Sequence, residues 1–388
     1  MSGSRIVTIK EIFPLFKGEE KANAIELVSL EEVGNSVVAA KDVYKPGDKV
    51  LFIQPDYCLS EIEVFKEYLE PGGDKKKSKL GKSNRVRAIK FNLHTGNKEP
   101  VYSYGILING QVLNNTMNLS LDESNDYDKL LNIIKYEEPE VLLQAHESGK
   151  VVVCPFPAQM YQTDEENINN VINDINFPIE LIGTHKSDGS SISIWFKNGK
   201  TGITSRKCGK PLSYKKVMGY KIKWWQKVLK ILSFTLYKPD GKVVKTVESD
   251  DQFVVVGRPY LARLAEYGQN IVLRGEMVGR SSKGSGNPNN PKAKEDNHIE
   301  FFGVDDYNDY AKRLPYKTVE EIASKLNLQL VQKYFEMTFN SREELLSHCQ
   351  TIFNKEKEGG KIIEGVVVRT ENGKFSCKIM NLEYDSKK

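Results

Sequence analysis

A lysine that ends one apolar strand pattern and precedes a tight turn is the side chain of this sequence best placed to do chemistry. Lys186 lies in LIGTHKSDGSSISIWF, residues 181–196, and is followed by Asp188 and Gly189. A lysine attacks phosphorus only as the neutral amine, so its pKa must be lowered by burial, another cation or a metal. Gly189 lets the backbone turn tightly against a ligand. A lysine at a strand end is more often a solvated turn residue. Other motifs must therefore show whether Lys186 has a chemical role.

Five further motifs follow Lys186, and each brings a charged or aromatic side chain to a strand-like segment. They are SRK with Arg206, RGEMVG with Glu276, FFGVDD at 301–306, EGVVVR with Glu364, and FSCKIMN with Lys378. A nucleotide site needs a nucleophile, carboxylates for ribose and a metal, a flat apolar surface for the base, and a cation for phosphate. One motif alone carries a high false-positive risk, whereas six in order strengthen the case for Lys186, Glu364 and Lys378 as functional residues.

This ordered series resembles the covalent nucleotidyltransferase superfamily of polynucleotide ligases and mRNA capping enzymes. It is most similar to ATP-dependent RNA ligases that carry an OB-like module before the catalytic domain. The resemblance implies that Lys186 attacks the α-phosphate of ATP and holds AMP as a phosphoramide. It also implies that Glu364, together with Asp188, holds Mg²⁺ or Mn²⁺, and that Lys378 contacts the α-phosphate in the transition state.

The same resemblance implies the residues that bind the nucleotide. They are Asp188, Gly189, Arg206 for the nucleotide or the RNA phosphates, Glu276 for ribose, Phe302, Val304 and Lys374. The sequence departs from the family pattern at two positions, and Lys374, Phe302 and Val304 are candidates because of these departures. Related ligases often have a lysine where this chain has Ser376, so that cation is missing or is supplied by Lys374. The slot beside Asp305, aromatic in some relatives, is Val304, and strand alternation places Phe302 on the same face, so both stay candidates for covering adenine.

Turn signals divide the chain near residue 150 into two domains of an α+β protein. Residues 1–150 contain short strand-like segments, which predict a small OB-like β-barrel that binds RNA, followed by a helical linker at 121–150. The strand-like segments are IELVSL, NSVVAAKDVYKPGDKVLFIQP, RVRAIKF, SYGILI and QVLNN. Residues 151–388 mix strands and helices, which predicts an antiparallel-rich α+β domain. The resemblance implies that this is the adenylyltransferase domain, of the ATP-grasp-like ligase kind. The composition of 281–297 predicts a flexible loop.

Basic residues cluster in two runs, although the formal net charge is only +4. Residues 75–90 carry eight basic side chains and no acidic one, and residues 207–245 carry eleven lysines against Asp240 alone. Lysine runs are most often solvated faces, but aromatic residues near both runs favour a polyanion such as RNA. Within the second run, 221–238 has lysines at helical spacing. This stretch predicts a basic helix that clamps RNA, with a structural helix as the alternative.

The remaining composition predicts a soluble intracellular protein, cytoplasmic or nuclear, and a monomer without a membrane partner. Five cysteines are scattered without a CxxC pair, so neither a disulfide framework nor a zinc site is indicated. The N-terminus lacks an apolar segment with a cleavage site, and no apolar run reaches membrane-spanning length.

The favoured interpretation is an RNA ligase that joins a 3′-OH to a 5′-phosphate through lysyl-AMP and an RNA-adenylate, as in RNA repair. The alternatives are a DNA ligase or an mRNA capping guanylyltransferase. Those relatives usually carry an OB domain after the catalytic domain, whereas only ten residues follow Lys378 here. A decayed nucleotidyltransferase that only binds RNA is a further alternative. Ser376 keeps it open, and the intact lysine and carboxylates oppose it.

Overall fold

The chain forms two compact units. A computed structural model describes residues 2–97, 100–136, 155–157, 159–171, 175–220 and 242–385. The first unit comprises Met1–Pro139 and Glu166–Ile179, and the second comprises Glu140–Glu165 and Glu180–Lys388. In the described part of the chain, no helix is long and apolar enough to cross a membrane.

The first unit is rich in short strands. Its strands are β1 Ser4–Lys17, β2 Glu20–Leu30, β3 Ser36–Ala40, β4 Lys49–Ile53, β5 Tyr57–Cys58, β6 Ile89–Phe91, β7 Val101–Ser103, β8 Ile106–Asn109, β9 Ile134–Lys135 and β10 Glu166–Asn167. Its α-helices are α1 Lys66–Leu69, α2 Gly110–Met117, α3 Tyr127–Leu130 and α4 Ile168–Val171. Four 3₁₀ turns complete it, at Glu63–Phe65, Pro71–Gly73, Lys75–Lys77 and Lys82–Asn84.

Its main sheet has the order β3-β2-β1-β4-β8. The long β1 pairs with β4 over its first residues and with β2 over the rest, both antiparallel. In the apolar run KVLFI of β4, Val50 and Phe52 enter one core cluster and Leu51 and Ile53 another, as strand alternation requires. The sheet is therefore covered on both faces.

The prediction of a closed barrel is not confirmed. The hydrogen-bonded order ends at β3 and β8, so the described strands form an open sheet within a sheet-rich α+β fold. The predicted strand QVLNN is wrong because it lies in helix α2, where the Asn109 side chain caps the helix by accepting from the Gln111 amide at 2.8 Å. In the described part of the predicted helical linker, the one helix is the four-residue α3.

The described part of the second unit contains two larger sheets, one antiparallel two-stranded sheet and three longer helices. Its strands are β11 Ile179–Lys186, β12 Ser190–Lys197, β13 Lys200–Ser205, β14 Gly209–Lys210, β15 Ser213–Tyr220, β16 Lys242–Glu248, β17 Ile271–Val278, β18 His298–Asp306, β19 Lys312–Arg313, β20 Lys333–Phe339, β21 Gly365–Arg369 and β22 Ser376–Met380. Its helices are α5 Gln252–Tyr267, α6 Tyr316–Leu326, α7 Arg342–Glu358 and α8 Leu382–Asp385, with a 3₁₀ turn at Lys283–Gly286.

One sheet of this unit contains the order β22-β21-β11-β20, and the other has the order β14-β13-β12-β17-β18-β19. The second sheet packs against α5 and α6 in the main core of the unit, which includes Ile194, Leu264 and Ile322. The pattern PYLARLAEYG predicts a helix that starts at Pro259, whereas helix α5 begins earlier, at the N-cap Asp251, and contains Pro259 in its interior. Proline marks a helix start more often than it tolerates an interior position, so the sequence alone favours the shorter helix.

The second basic run begins at Lys207, just before β14, and continues along β15, which pairs antiparallel with β16. The predicted RNA-clamping helix at 221–238, with Lys223, Lys227 and Lys230, lies outside the described residues. Its role stays a prediction.

Candidate active site

A cavity of about 290 Å³ lies in the second unit and is lined by residues of both sheets. The motif residues on its wall are Lys186, Gly189, Arg206, Glu276, Phe302 and Lys378. Strand pairing explains this convergence. Lys186 lies opposite Gly365, Ser191 opposite Glu276, and Val367 opposite Lys378. Because the pairings are antiparallel, motifs far apart in sequence reach the same cavity.

The nucleophile candidate is paired with a carboxylate. Lys186 Nζ lies 2.7 Å from Glu364 Oε2, and the two side chains are only 23% and 15% exposed. Glu364 directly precedes β21, and its carbonyl accepts from the Asn381 amide at 2.9 Å. Gly365 is required here because a Cβ would lie 2.4 Å from the Ile379 carbonyl oxygen. The backbone therefore holds the carboxylate next to the amine.

The charge state of the pair differs from the expectation of a lowered lysine pKa. Burial acts to lower the pKa of Lys186, but the carboxylates of Glu364, Glu276 and Asp188 outweigh it and raise that pKa above its ordinary value. Burial raises the pKa of Glu276 to about 8, and Glu364 and Asp188 add to the rise while Lys186 opposes it. Lys186 is thus an ammonium ion in this arrangement, and Glu276 keeps its proton to a higher pH than an ordinary glutamate does.

The turn after Lys186 is packed on both sides. A Cβ at Gly189 would lie 2.4 Å from the Met277 carbonyl oxygen and 2.9 Å from Glu276 Cγ, so only glycine fits. Ser187 donates to Glu300 at 2.5 Å, and Lys292 donates to the same carboxylate. The Asp188 carboxylate accepts from the Tyr384 hydroxyl at 2.8 Å. Asp188 itself is not on the cavity wall, although its charge reaches Lys186 and Glu276.

Two cations on the cavity wall share one carboxylate that the motif series did not identify. Arg206 Nη2 lies 2.9 Å from Asp164 Oδ2, and Lys378 Nζ lies 3.9 Å from Asp164 Oδ1. Ser376 donates a short hydrogen bond to Glu165. The stretch QTDEEN, residues 162–167, precedes the strand of the nucleophile, and its three acidic residues, Asp164, Glu165 and Glu166, are the signal by which this contact could have been found.

Lys374 does not reach the cavity. It is exposed in the turn between β21 and β22, where its amide donates to the Asn372 side chain at 3.0 Å. The suggestion that Lys374 supplies the cation absent at Ser376 is therefore not supported by its position. The lining of the cavity includes a different lysine, Lys283.

Strand β18 separates Phe302 from Val304, contrary to the expected alternation. The pairing with β17 shifts between Arg274/Gly303 and Gly275/Phe301, which leaves Phe302 in a bulge. Phe301 and Val304 consequently both enter the apolar core, fully buried, while Phe302 lines the cavity. The Phe302 carbonyl accepts from the buried Arg369 at 2.5 Å, which fixes the bulge. Val304 is therefore wrong as a surface for the base.

The loop at 281–297, predicted to be flexible, packs against the turn of the nucleophile. Ser282, Asn287 and Asn290 are buried. Asn290 Nδ2 donates to the Asp188 carbonyl at 2.9 Å, and the Lys283 amide donates to Ser190 Oγ at 2.9 Å. A glycine- and asparagine-rich composition signals turns, and here those turns are built against a strand end.

The fold agrees with the comparisons to known proteins. The family model for RNA ligase matches residues 179–380, slightly more than half of the chain. No curated protein sequence matches it. A mutant of Naegleria gruberi RNA ligase with ATP and Mn has a similar structure, with a TM-score of 0.71, 20% identity, and coverage of 100% of this chain and 99% of that chain.

Two further structures of the Naegleria gruberi ligase give similar values. The form with PPi has a TM-score of 0.69 at 20% identity and covers 100% of this chain and 98% of that chain. A mutant with AMP and Mn also has a TM-score of 0.69 at 20% identity, with the same coverage. At this identity the likeness concerns the fold.

The class that the fold and the family match define is that of the polynucleotide ligases. This chain belongs to the RNA ligase family. The prediction of an RNA ligase is thereby confirmed.

Proposed function

We propose that this protein is an ATP-dependent RNA ligase that seals a 3′-OH to a 5′-phosphate. The observation that carries the proposal is the Lys186–Glu364 pair in a cavity that Glu276, Arg206 and Lys378 also line. The similar Naegleria gruberi structures hold ATP or AMP, which supports the same nucleotide here. Family membership supports RNA as the substrate.

In the first step, Lys186 Nζ attacks the α-phosphorus of ATP. A P–N bond forms, the bond from the α-phosphorus to the bridging oxygen breaks, and pyrophosphate leaves. Arg206 and Lys378 stabilise the negative charge that develops on the phosphate oxygens. Later steps transfer AMP to the 5′-phosphate of the RNA and release it when the 3′-OH attacks that phosphate.

Lys186 must lose its proton before it attacks, and Glu364 governs that loss. The paired carboxylate holds the amine protonated, so any cation that binds Glu364 favours the neutral amine. Glu276 has a raised pKa and can both donate to and accept from ribose hydroxyls.

The carboxylates fit a hard divalent cation such as Mg²⁺ or Mn²⁺. Within the described residues, no group of three or more His, Cys, Asp or Glu side chains could hold a metal ion by itself. Such ions commonly take one or two carboxylates and complete their shell with phosphates and water, which suits Glu364, with Asp188 close by. The ion would neutralise phosphate charge when bound.

We assign Phe302 to the adenine ring. The bulge brings its ring to the cavity wall while its neighbours in β18 enter the core. Arg313 lies 5.8 Å from the centre of the ring on one side. A flat, half-buried aromatic surface suits stacking of a base.

We further propose that the first unit is an OB-like RNA-binding module and the second the adenylyltransferase. The order of the five main strands supports this, as does a hydrogen bond from the Tyr104 amide to the Ser36 carbonyl at 2.9 Å, next to the two edge strands. The described cysteines, Cys58, Cys208, Cys349 and Cys377, are free, which supports work in a reducing compartment, the cytoplasm or nucleus.

The test is the covalent adduct. The full chain is incubated with ATP labelled in the α-phosphate and Mg²⁺ or Mn²⁺, and labelled protein is detected after denaturation. Lys186→Ala should abolish the label, a loss of more than about 1,000-fold, because no other group replaces an attacking nucleophile. Lys200→Ala, which changes an exposed lysine on the β12–β13 turn, is the matched control.

Label from GTP in place of ATP would point to capping chemistry. Label retained in Lys186→Ala would show that Lys186 is not the nucleophile. An adduct that forms but is never passed to the 5′-phosphate of an RNA end would contradict ligation.

A further inference from the structure

The first unit has a positively charged surface that the adenylylation chemistry does not use. We call it the basic surface, and its members are exposed: Lys75, Lys76, Lys77, Lys79, Lys82, Arg87 and Lys90. No acidic residue interrupts residues 75–90. Among the described residues, Lys75 is the one member with an ion pair, to Glu70 at 3.1 Å. This concentration of like charge must be neutralised by counterions in solution.

The segment that carries this surface is folded. The Asp74 carboxylate caps the turn Lys75–Lys77 by accepting from the Lys76 amide at 3.0 Å. The Gly81 amide donates to the Arg85 carbonyl at 2.7 Å, and Arg87 Nε donates to the Lys79 carbonyl at 3.1 Å. The basic side chains are therefore anchored on a fixed backbone, so repelling charges are held together.

Aromatic rings lie beneath two of the cations. Lys79 Nζ is 4.2 Å from the centre of the Phe91 ring, and Lys90 Nζ is 5.8 Å from that of Tyr102. Lys90 and Tyr102 are partners in the β6–β7 pairing, and Phe91 pairs with Val101 in the same hairpin. Both rings are half-buried. Cations and rings thus alternate on one hairpin and the loop folded against it.

We propose that the basic surface binds single-stranded RNA, with the lysines on the phosphates and Phe91 and Tyr102 stacking on unpaired bases. This inference rests on the proposed ligase function and names where that substrate is held away from the cavity. Phosphate neutralisation alone would serve any polyanion. Rings placed among the cations favour a strand whose bases are free to stack.

The experiment measures binding of the full chain to a labelled single-stranded RNA of 20 nucleotides as a function of salt. The variant Lys76→Gln/Lys77→Gln/Lys82→Gln should bind more weakly, and its log–log salt slope should be shallower by about 2 units, at roughly 0.7 per lost phosphate contact. The matched control replaces three exposed lysines of the same unit, Lys10, Lys45 and Lys129, by glutamine. Its slope should equal that of the unmodified chain.

A second pair of variants tests the rings. Phe91→Leu and Tyr102→Leu keep apolar bulk and should each weaken single-strand binding about fivefold or more without changing the salt slope. Binding to a fully paired RNA duplex should be unaffected by these two changes. Adenylylation with labelled ATP, measured in parallel, should stay at the unmodified rate in all variants.

An unchanged salt slope in the triple lysine variant, with adduct formation intact, would contradict RNA binding by the basic surface. The ligase proposal would be unaffected. Ring variants that bind single strands as tightly as the unmodified chain would overturn the stacking. If the triple lysine variant bound RNA as tightly as the unmodified chain but no longer bound an acidic protein, the basic surface would belong to a different partner.

Discussion

Lysines in the cavity of the second unit and lysines on the basic surface of the first have the same chemistry and opposite surroundings. Lys186 is 23% exposed and lies 2.7 Å from a carboxylate that is 15% exposed. Lys75 is 75% exposed, and its partner Glu70 lies 3.1 Å away. Ion pairs of similar length therefore occur here in one largely buried and one exposed environment.

The difference arises from desolvation. An exposed pair contributes about 0–1 kcal/mol because water screens both partners, whereas breaking a buried pair leaves a charge without solvent or partner and costs several kcal/mol. The partly buried Lys186–Glu364 pair lies between these limits. Substitutions in the cavity should therefore change rates strongly, and single substitutions on the basic surface should change little except the response to salt.

The largest effects are expected for the charged groups that the proposed function assigns to the reacting phosphate. Glu364→Ala and Lys378→Ala should each slow formation of the labelled adduct about 100-fold or more, the scale for losing one preorganised electrostatic contact. Lys374→Ala, which removes the exposed lysine of the neighbouring turn, is the control and should react at the normal rate. Single-turnover rates with saturating ATP provide the measurement.

Glu364→Ala has a second expected consequence. Removing this carboxylate removes the strongest interaction that raises the pKa of Lys186. The residual reaction should accordingly reach its plateau at a lower pH than in the unmodified chain. If Lys374→Ala proved as damaging as Lys378→Ala, the exposed turn would take part in phosphate binding and the contrast between buried and exposed lysines would fail.

An intermediate effect is expected at Asp164, which contacts both Arg206 and Lys378. Asp164→Asn should slow adduct formation by about tenfold, because one charge-assisted hydrogen bond that orients Arg206 is weakened. Asp309→Asn, an exposed change in the same unit, serves as the control. A rate equal to that of the control would mean that the cations are positioned without this carboxylate.

The smallest effect concerns stability. Glu276 has a folded-state pKa of about 8 against an ordinary value of 4.5, so the folded chain holds this proton more tightly than the unfolded chain. Stability from this group is fully present below about pH 4.5 and is lost as pH rises toward 8. Glu276→Gln cannot ionise, so its Tm should exceed that of the unmodified chain by an amount that grows from pH 5 to pH 8.

Thermal unfolding at several pH values checks this expectation, with Glu266→Gln, on the exposed face of α5, as the control. A Tm difference that is constant with pH would show that burial does not raise the pKa of Glu276.

Local patterns were reliable where periodicity was strong. The helical patterns TVEEIASKLN at 318–327 and SREELLSHCQTIFNKEKEG at 341–359 fall on α6 and α7. The strands that carry Lys186, Glu276 and Lys378 also lie where their sequences predict them. The sequence predicts a strand at QVLNN and the structure has a helix, because an apolar pair within five residues fits a strand and a short helix equally well. Asn109 decides for the helix by capping it.

In the candidate site too, local patterns predicted some residues correctly and the tertiary structure decided others. Motif order identified Lys186, Glu276, Glu364, Arg206 and Lys378, which all lie on the cavity wall or in contact with it. Alternation could not separate Phe302 from Val304, because a bulge depends on how β17 and β18 pair. Spacing also could not exclude Lys374, since its exposure depends on the turn between two strands.

The sequence by itself determined which chemical groups are present and in what order, because residue types and short-range periodicity are local properties. Only the tertiary structure decided the protonation and orientation of those groups. The Lys186 amine is held as an ammonium by Glu364, which follows 178 residues later in the chain. Such a pairing, like the desolvation that strengthens it, arises from strand register and burial, which no short stretch of residues encodes.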